Sequence, residues 1–420
     1  MMFALLLALA AAPVENVENV EEDEHNFSFA AVPTLTFSTD EGFGTGGVAT
    51  MYHRHQGVLP YRDAVTANIF ISSKLVQAHA LTWDALRPFD IAGRLYVRGG
   101  YYATVSQNYC GIGNDVACAS GEALDESRRL GLQKDPSLPE GAVDEFERHY
   151  HLMRFIRPYA TVIARPWLRD KPWRTEVLLG WRGAVVVPGD LAIRGPYPGS
   201  LFAKDFPGGQ AGTFSVPFAG IVIDDRDTEA FPTRGFFFES SVRGAHALTG
   251  SSWPHAGVNA SLASFLSMTP QGPKAEPRVV LASRVIADVM VGEPSVQEMA
   301  RIGGTLDSNA FGGSSIGRGV REHRYLGKVK LIGQAELRAQ LFEHEVFGEV
   351  FNHGCALFTD AGLIGADVLQ WRGNPAKLLT TFGVSYRMLW NESFAIRWDL
   401  ALSPDEAEGP GFYIIVGQAF

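Results

Sequence analysis

The sequence predicts an all-β protein, a transmembrane antiparallel β-barrel of about sixteen strands with an Arg-Gly loop folded inward. Three observations predict it. Apolar and polar side chains alternate with a period of two, the alternating segments run for about ten residues, and their connections are alternately short and long. In residues 394–402, Phe394, Ile396, Trp398, Leu400 and Leu402 alternate with Ala395, Arg397, Asp399 and Ala401. Just upstream, Phe382, Val384, Tyr386, Met388 and Trp390 oppose Gly383, Ser385, Arg387 and Leu389, and Trp390–Ser393 forms the turn between the two segments. A third segment sets Val329, Leu331, Gly333, Ala335, Leu337, Ala339 and Leu341 against Lys328, Lys330, Ile332, Gln334, Glu336, Arg338 and Gln340. A soluble sandwich turns its apolar face to a core, whereas a barrel turns it to lipid and keeps the polar face in a lumen. Length separates the two. Soluble strands average about five or six residues, and a tilted strand needs about nine to eleven to cross a bilayer.

Strands are expected at 27–38, 45–54, 63–72, 75–85, 92–104, 146–166, 173–186, 213–226, 234–248, 253–269, 277–292, 327–342, 348–361, 376–390, 393–403 and 411–420. An even number suits a single bacterial chain, and closure leaves no sheet edge. Connections at 55–62, 167–172, 270–276 and 390–392 are short, and those at 105–145, 187–212 and 293–326 are long, as periplasmic turns and outside loops are. The acidic part of 121–146 has room for a short helix. The final stretch, GFYIIVGQAF, puts Phe412, Ile414 and Val416 in register with Phe420, an aromatic that a last barrel strand would seat in the interfacial belt.

Bulk properties agree. A net charge of -10 and a pI near 5.6 argue against nucleic-acid binding, which needs clustered Lys and Arg. Mean hydropathy is +0.00, and past the extreme N-terminus no apolar run is long enough for a spanning helix. Residues 1–12, MMFALLLALAAA, have the apolar core and small-residue end of a signal peptide but no basic residue ahead of them, so an apolar N-terminus without export function is the competing reading. Residues 13–26 read as an acidic disordered linker, and 27–420 as the outer-membrane barrel. Of three cysteines, Cys110 and Cys118 either close a loop disulfide or remain thiols, since spacing cannot fix their separation, and Cys355 reads as packing.

Three motifs point further. They are GGSSIGRGVREHRYLGKVKLIGQAELR at 312–338, Phe358-Thr359-Asp360-Ala361-Gly362, and DDRDTEAFPTRG at 224–235. Together they resemble the bacterial surface antigen barrels of the BamA and TamA type, which include outer-membrane assembly factors and two-partner secretion transporters. The first is similar to that family's loop, an Arg-Gly pair followed by a strand carrying Glu336-Leu337-Arg338. The second matches its F-x-D-x-G strand end. The third is similar to its periplasmic turn, in Asp224, Arg226, Asp227, Pro232 and Gly235. Tyr109–Asn114 is similar to a further family loop, with Cys110 in place of an aromatic. The resemblance implies that Arg318, Gly319 and Asp360 anchor the loop inside the barrel.

Elementary chemistry leads to the same pair. A long loop over a wide lumen has no core of its own, and the guanidinium of Arg318 offers a planar fork of donors to Asp360, which shares the lumen register with Phe358 and Ala356. Gly317 and Gly319 allow the backbone turns. Val320 stands where the family prefers Phe or Tyr, and Gly317 where it prefers an aliphatic residue. Both departures bear on ring packing in the lumen.

Other constellations read as structural. Gly313-Ser314-Ser315-Ile316-Gly317 spells a nucleophile elbow, but no strand-turn-helix context surrounds Ser315, so no catalytic residue or enzyme activity is assigned. Asp224, Asp225 and Asp227 suit a turn neutralised by Arg226 better than a calcium site. His149 and His151, placed on one strand face, lack a third ligand, so no metal or other cofactor is expected. GFGTGG at 42–47 reads as a hairpin loop, with no helix to make it a phosphate cradle.

The expected location is the bacterial outer membrane. Only residues up to Asn26 precede the first strand, too few for the family's soluble periplasmic (POTRA) modules, so the expectation is a barrel without them. The function this implies is help with protein or lipid insertion or translocation, with outer-membrane lipid, periplasmic accessory proteins and unfolded outer-membrane clients as partners. The alternative is a passive pore or structural barrel.

Overall fold

Alternation along the chain becomes two faces once strands pair. On β13 (Glu349–Gly365), Leu357 is 61% exposed while its neighbours Ala356 and Phe358, and Asp360 two positions further on, are buried. Phe382, Val384, Leu400 and Leu402 are likewise exposed, and Asp399 and Ala401 buried. Exposed apolar side chains recur on strands all round the cylinder, so the outer wall presents hydrocarbon and the inner wall the charges. That is the inverse of a soluble protein and the requirement of a lipid solvent.

The computed structural model describes residues 27–416 apart from 56–57, 115, 117, 119, 193, 230, 270–278, 306–308, 347, 369–376, 391–393 and 407–408. The expectations for residues 1–26 and for Phe420 lie outside the described residues. The chain runs β1 (Phe27–Ser38), β2 (Gly42–His55), β3 (Val58–Ser72), β4 (Gln77–Leu86), β5 (Gly93–Asn108), β6 (Leu152–Arg169), β7 (Arg174–Pro188), β8 (Gly212–Asp224), β9 (Gly235–Ala245), β10 (His255–Ser267), β11 (Val279–Gly292), β12 (Val329–Val346), β13, β14 (Leu379–Trp390), β15 (Phe394–Leu402) and β16 (Gly411–Val416). Each pairs antiparallel with its sequence neighbours, and β16 returns to β1 to close a barrel of sixteen strands. None of the described helices is long and apolar enough to cross a membrane.

Because strand direction alternates, the connections β1–β2, β3–β4, β5–β6, β7–β8, β11–β12 and β15–β16 share one end of the barrel. The longest of them carry four short helices: α1 (Ser120–Arg129) and α2 (Ala142–His149) before β6, α3 (Leu201–Asp205) before β8, and α4 (Val296–Met299) before β12. Acidic residues in the first turns of α1 and α2 and basic residues in their last turns complement the helix dipoles. Tyr109, Met153, Phe155, Val186, Phe202, Phe214, Val296 and Met299 pack into a hydrophobic cluster that joins these connections to the strand ends.

The structure corrects several expectations. The strand expected from 146 begins at Leu152, because the apolar and charged residues of 142–149 follow a helical period and form α2. His149 therefore closes a helix, its ring stacked 4.1 Å from that of Tyr197, and His151 lies in the turn beyond; the two do not share a strand face. GFGTGG is not a hairpin loop but the first half of β2, paired on both sides. Its glycines make room for neighbours, since a Cβ on Gly44 would meet the Phe70 ring at 2.4 Å and one on Gly46 the Ile69 carbonyl at 2.0 Å. Of the two alternatives left open for Cys110 and Cys118, the disulfide is the one formed, with the Cα atoms 5.3 Å apart.

Candidate functional site

The described residues of 293–328, between β11 and β12, run inside the wall, and two groups of buried charges hold them there. The first begins at α4, capped by the Ser295 hydroxyl, which accepts from the Glu298 amide at 3.3 Å. Beyond it the amide of Gly303 donates to Asp288 Oδ2 at 2.8 Å, and that of Thr305 to Glu239 Oε1 at 2.8 Å. Arg182 donates to the Gly304 carbonyl, and Lys330 Nζ to the Arg301 carbonyl at 2.7 Å. Asp288 in turn receives both terminal nitrogens of Arg243, at 2.9 and 3.0 Å, and Lys330 at 3.2 Å. Strands β7, β9, β11 and β12 thus supply side chains that take up loop backbone groups which would otherwise lack partners.

The second place is Arg318, which is completely buried. Its Nε and Nη2 donate to the two carboxylate oxygens of Asp360 at 3.0 and 2.9 Å, its backbone amide reaches Asp360 Oδ2 at 3.1 Å, and its Nη1 donates to Glu336 at 2.6 Å. The guanidinium lies 3.5 Å from the centre of the Phe358 ring. Glu336 also accepts from Arg338 and Arg387, each at 2.7 Å, so one carboxylate carries three cations. Gln334 bridges Asp360 and the Ser315 carbonyl at 3.1 and 2.8 Å. Fork-to-carboxylate bonds of this kind are the strong, geometrically specific class.

Glycines set the approach distances. Gly319 has φ +95°, and a Cβ there would stand 3.0 Å from the Ala401 carbonyl carbon; its amide donates to the Tyr413 hydroxyl at 3.1 Å. A Cβ on Gly362 would meet the ring of buried Phe311 at 2.5 Å, and one on Gly383 the Phe358 ring at 2.4 Å. Phe311, not Val320, supplies the aromatic ring against Gly362, and Val320 is itself buried. A Gly383→Val variant is expected to press on the Leu400 carbonyl, which a Cβ would meet at 2.3 Å, as well as on the Phe358 ring, and to cost about 1–3 kcal/mol by overpacking, read as a lower temperature for the heat-dependent shift in gel mobility.

Residues 224–235 form a separate unit at the opposite end. Arg226 Nε and Nη2 donate to Asp224 at 2.9 Å each, and Arg174 adds a third bond at 2.9 Å. Asp227 accepts from the Thr233 hydroxyl and from the amides of Thr228, Thr233 and Arg234; burial alone would raise its pKa, but these bonds hold it below the ordinary carboxyl value. Pro232 is buried, and Gly235, at φ +93°, is forced by the Asp225 carbonyl, which a Cβ would meet at 2.0 Å. Ser315 has its carbonyl engaged by Gln334 and is followed by turns, not a helix.

The inner-wall partners Arg182, Glu239, Arg243, Asp288 and Lys330 are not among the residues singled out from sequence motifs, and neither are Arg387, Phe311 and Tyr413. Their one sequence signal is a charge on the inward register of an alternating strand, as with Arg284 and Asp288 among Val280, Ala282, Ile286 and Met290.

The seam is the last feature of the site. Among the described residues β1 and β16 pair at Phe37↔Ile414 and Ser38↔Tyr413, whereas β1 and β2 pair continuously from Phe27↔His53 to Ser38↔Gly42. Solved structures with the same architecture include BamA from Haemophilus ducreyi lacking POTRA domains 1-3, at TM-score 0.53 and 11% identity, over 93% of this chain and 70% of that one. The fold is that of the BamA-type outer-membrane barrel. CdiB from Escherichia coli has it too, at TM-score 0.57 and 11% identity over 94% of this chain, which spans 63% of the CdiB chain. No protein-family model matches the sequence, and no curated protein matches it.

Proposed function

We propose that the chain is an integral bacterial outer-membrane barrel of the BamA and TamA-like surface antigen group, which assists insertion or translocation of protein or lipid at the β1–β16 seam. The observation that carries this reading is the seam itself, where the first and last strands meet and, among the described residues, pair at Phe37↔Ile414 and Ser38↔Tyr413. A wall opens where the fewest backbone bonds must break, and a β1 edge released from β16 would offer its N–H and C=O groups as a template for an incoming strand. Arg318, Gly319, Asp360 and Glu336, with Phe358 and Gly362 behind them, anchor the 293–328 loop within the lumen, and the 224–235 turn steadies the opposite mouth. Residues 1–12 would direct export, 13–26 link to the barrel, and Phe420 mark its last strand. Partners in this reading are outer-membrane lipid, unfolded outer-membrane clients and periplasmic accessory proteins; it invokes no catalysis and no cofactor. The packed loop weighs against the alternative of a passive pore.

The test is depletion of the protein followed by profiling of outer-membrane proteins and lipids. Loss of specific barrels or lipids is the expected result. Unchanged profiles together with steady ion conductance of the purified protein in planar bilayers would favour the pore.

A further inference from the structure

The segment after Arg318 touches both sides of the seam in succession. The Gly319 amide donates to Tyr413 on β16 at 3.1 Å, and the Arg321 amide to Glu406 Oε2, in the β15–β16 connection, at 3.2 Å. The very next amide, Glu322, donates to Asp40 Oδ1, in the β1–β2 turn, at 3.0 Å. Arg324 adds an ion pair to Glu406. Two consecutive peptide groups therefore bridge from one side of the seam to the other. They lie beside the described β1–β16 pairs, Phe37↔Ile414 and Ser38↔Tyr413.

Beneath the bridge lies a cavity lined by Asp40, Glu41, Tyr102, Gln107, Glu322 and His323. Three carboxyl groups meet there. Glu322 is bonded by Asn309 and lies 3.3 Å from the His323 ring. Two basic side chains act on Asp40: Lys74, whose Nζ donates to the carbonyls of Thr39 and Asp40 at 2.9 and 2.7 Å, and Arg321.

We propose that residues 319–324 are a proton-sensitive clasp across the β1–β16 seam, closed when Asp40 and Glu41 are protonated and released as they ionise. The inference concerns the seam on which the proposed function rests, and it adds how that seam is regulated. Every group that faces the pair bears on it: Glu322 and His323 from the loop, Lys74 from the β3–β4 turn, Arg321, Tyr413 from β16 and Tyr102 from β5. Burial, then the charge of Glu322, pushes Asp40 up to about 7 and Glu41 up to about 8. Burial raises Glu322, but the neighbouring His323 ring and the Asn309 amide outweigh it and hold this carboxyl below its ordinary value. Undocked, both turn carboxyls would face water and titrate near their ordinary values, about 4. The docked state thus binds more protons. Docking is strongest below about pH 4 and weakens as pH rises, until the docked groups have themselves ionised, at about 7 and about 8.

Amide hydrogen exchange on the whole protein in detergent or nanodiscs, corrected for intrinsic rates, tests this. Peptides covering 36–42 and 318–324 are expected to exchange roughly tenfold faster or more at pH 8 than at pH 5, with β7 to β10 unchanged. Asp40→Asn with Glu41→Gln keeps the acceptor for the Glu322 amide and is expected to stay protected at both values. Equal protection at both pH values in the native chain overturns the proposal, and so does an undiminished pH dependence in the double variant. Because no client is present, failure here is distinguishable from failure of the assembly reading: depletion phenotypes can persist without the clasp, and the clasp can titrate in a barrel that handles no client.

Discussion

Arg318→Ala is expected to release the 309–326 segment and to give the largest loss of stability of any single change in the barrel. The substitution leaves Asp360 without its forked donor and Glu336 with two cations in place of three, both carboxylates being fully buried. Breaking a buried pair by removing one member costs about 3–5 kcal/mol, because the remaining charge stays out of bulk water. Heat-dependent gel mobility should shift at a lower temperature, and proteases should cut within 309–326. Arg318→Lys should not restore the barrel, since a single ammonium cannot donate to both oxygens of Asp360 and to Glu336 together. An Arg318→Ala, Asp360→Ala pair should be less destabilised than the sum of the single changes, as for partners in direct contact. Unchanged heat-modifiability and protease resistance in Arg318→Ala would overturn the anchoring role.

Asp288→Ala carries the second largest expected effect, at the other hold on the same loop. Asp288 is fully buried and takes up Arg243, Lys330 and the Gly303 amide at once. Its loss leaves two cations facing each other without an anion between them, again on the order of 3–5 kcal/mol. Cleavage should appear near 300–305 while the Arg318 end stays protected. Asp288→Asn keeps an acceptor for Gly303 but no charge for Arg243 and Lys330, so it should fall between the native chain and Asp288→Ala. Equal protease patterns in all three proteins would show that Gly303 is held by other contacts. In the double variant Asp288→Ala, Arg318→Ala, cleavage should appear at both 300–305 and 309–318.

Much of the wall was legible in the chain. A strand crossing a bilayer has one face in hydrocarbon and one in a lumen, so a two-residue period written over β12 to β15 specifies both faces and, with the turn positions, the neighbours. The Arg318–Asp360 contact was legible because the Arg-Gly pair, Glu336 and Phe358-x-Asp360-x-Gly362 together resemble a known family's loop and strand end, and because a guanidinium fork in a lumen suits a carboxylate on the inward register. Where local sequence gave a weaker signal, expectation and structure parted. GFGTGG has no side-chain period and became a strand only because β1 and β3 offered backbone partners on both sides. Residues 142–149 sit beside a strand in sequence, yet they form a helix that packs with α1, where Ser127 donates to Glu147 at 2.6 Å.

The sequence by itself determined which side chains face lipid, that the strands would close, and that one arginine sought one aspartate. Only the tertiary structure decided that Asp288 and Glu239 hold the same loop, that Phe311 fills the space over Gly362, and that Glu322 and Arg321 reach Asp40 and Glu406. The reason is physical. Alternation is a local property of neighbours along one chain, whereas each of those contacts joins residues from different strands and loops, which become neighbours only when the strands have paired and the loop has folded into the closed barrel.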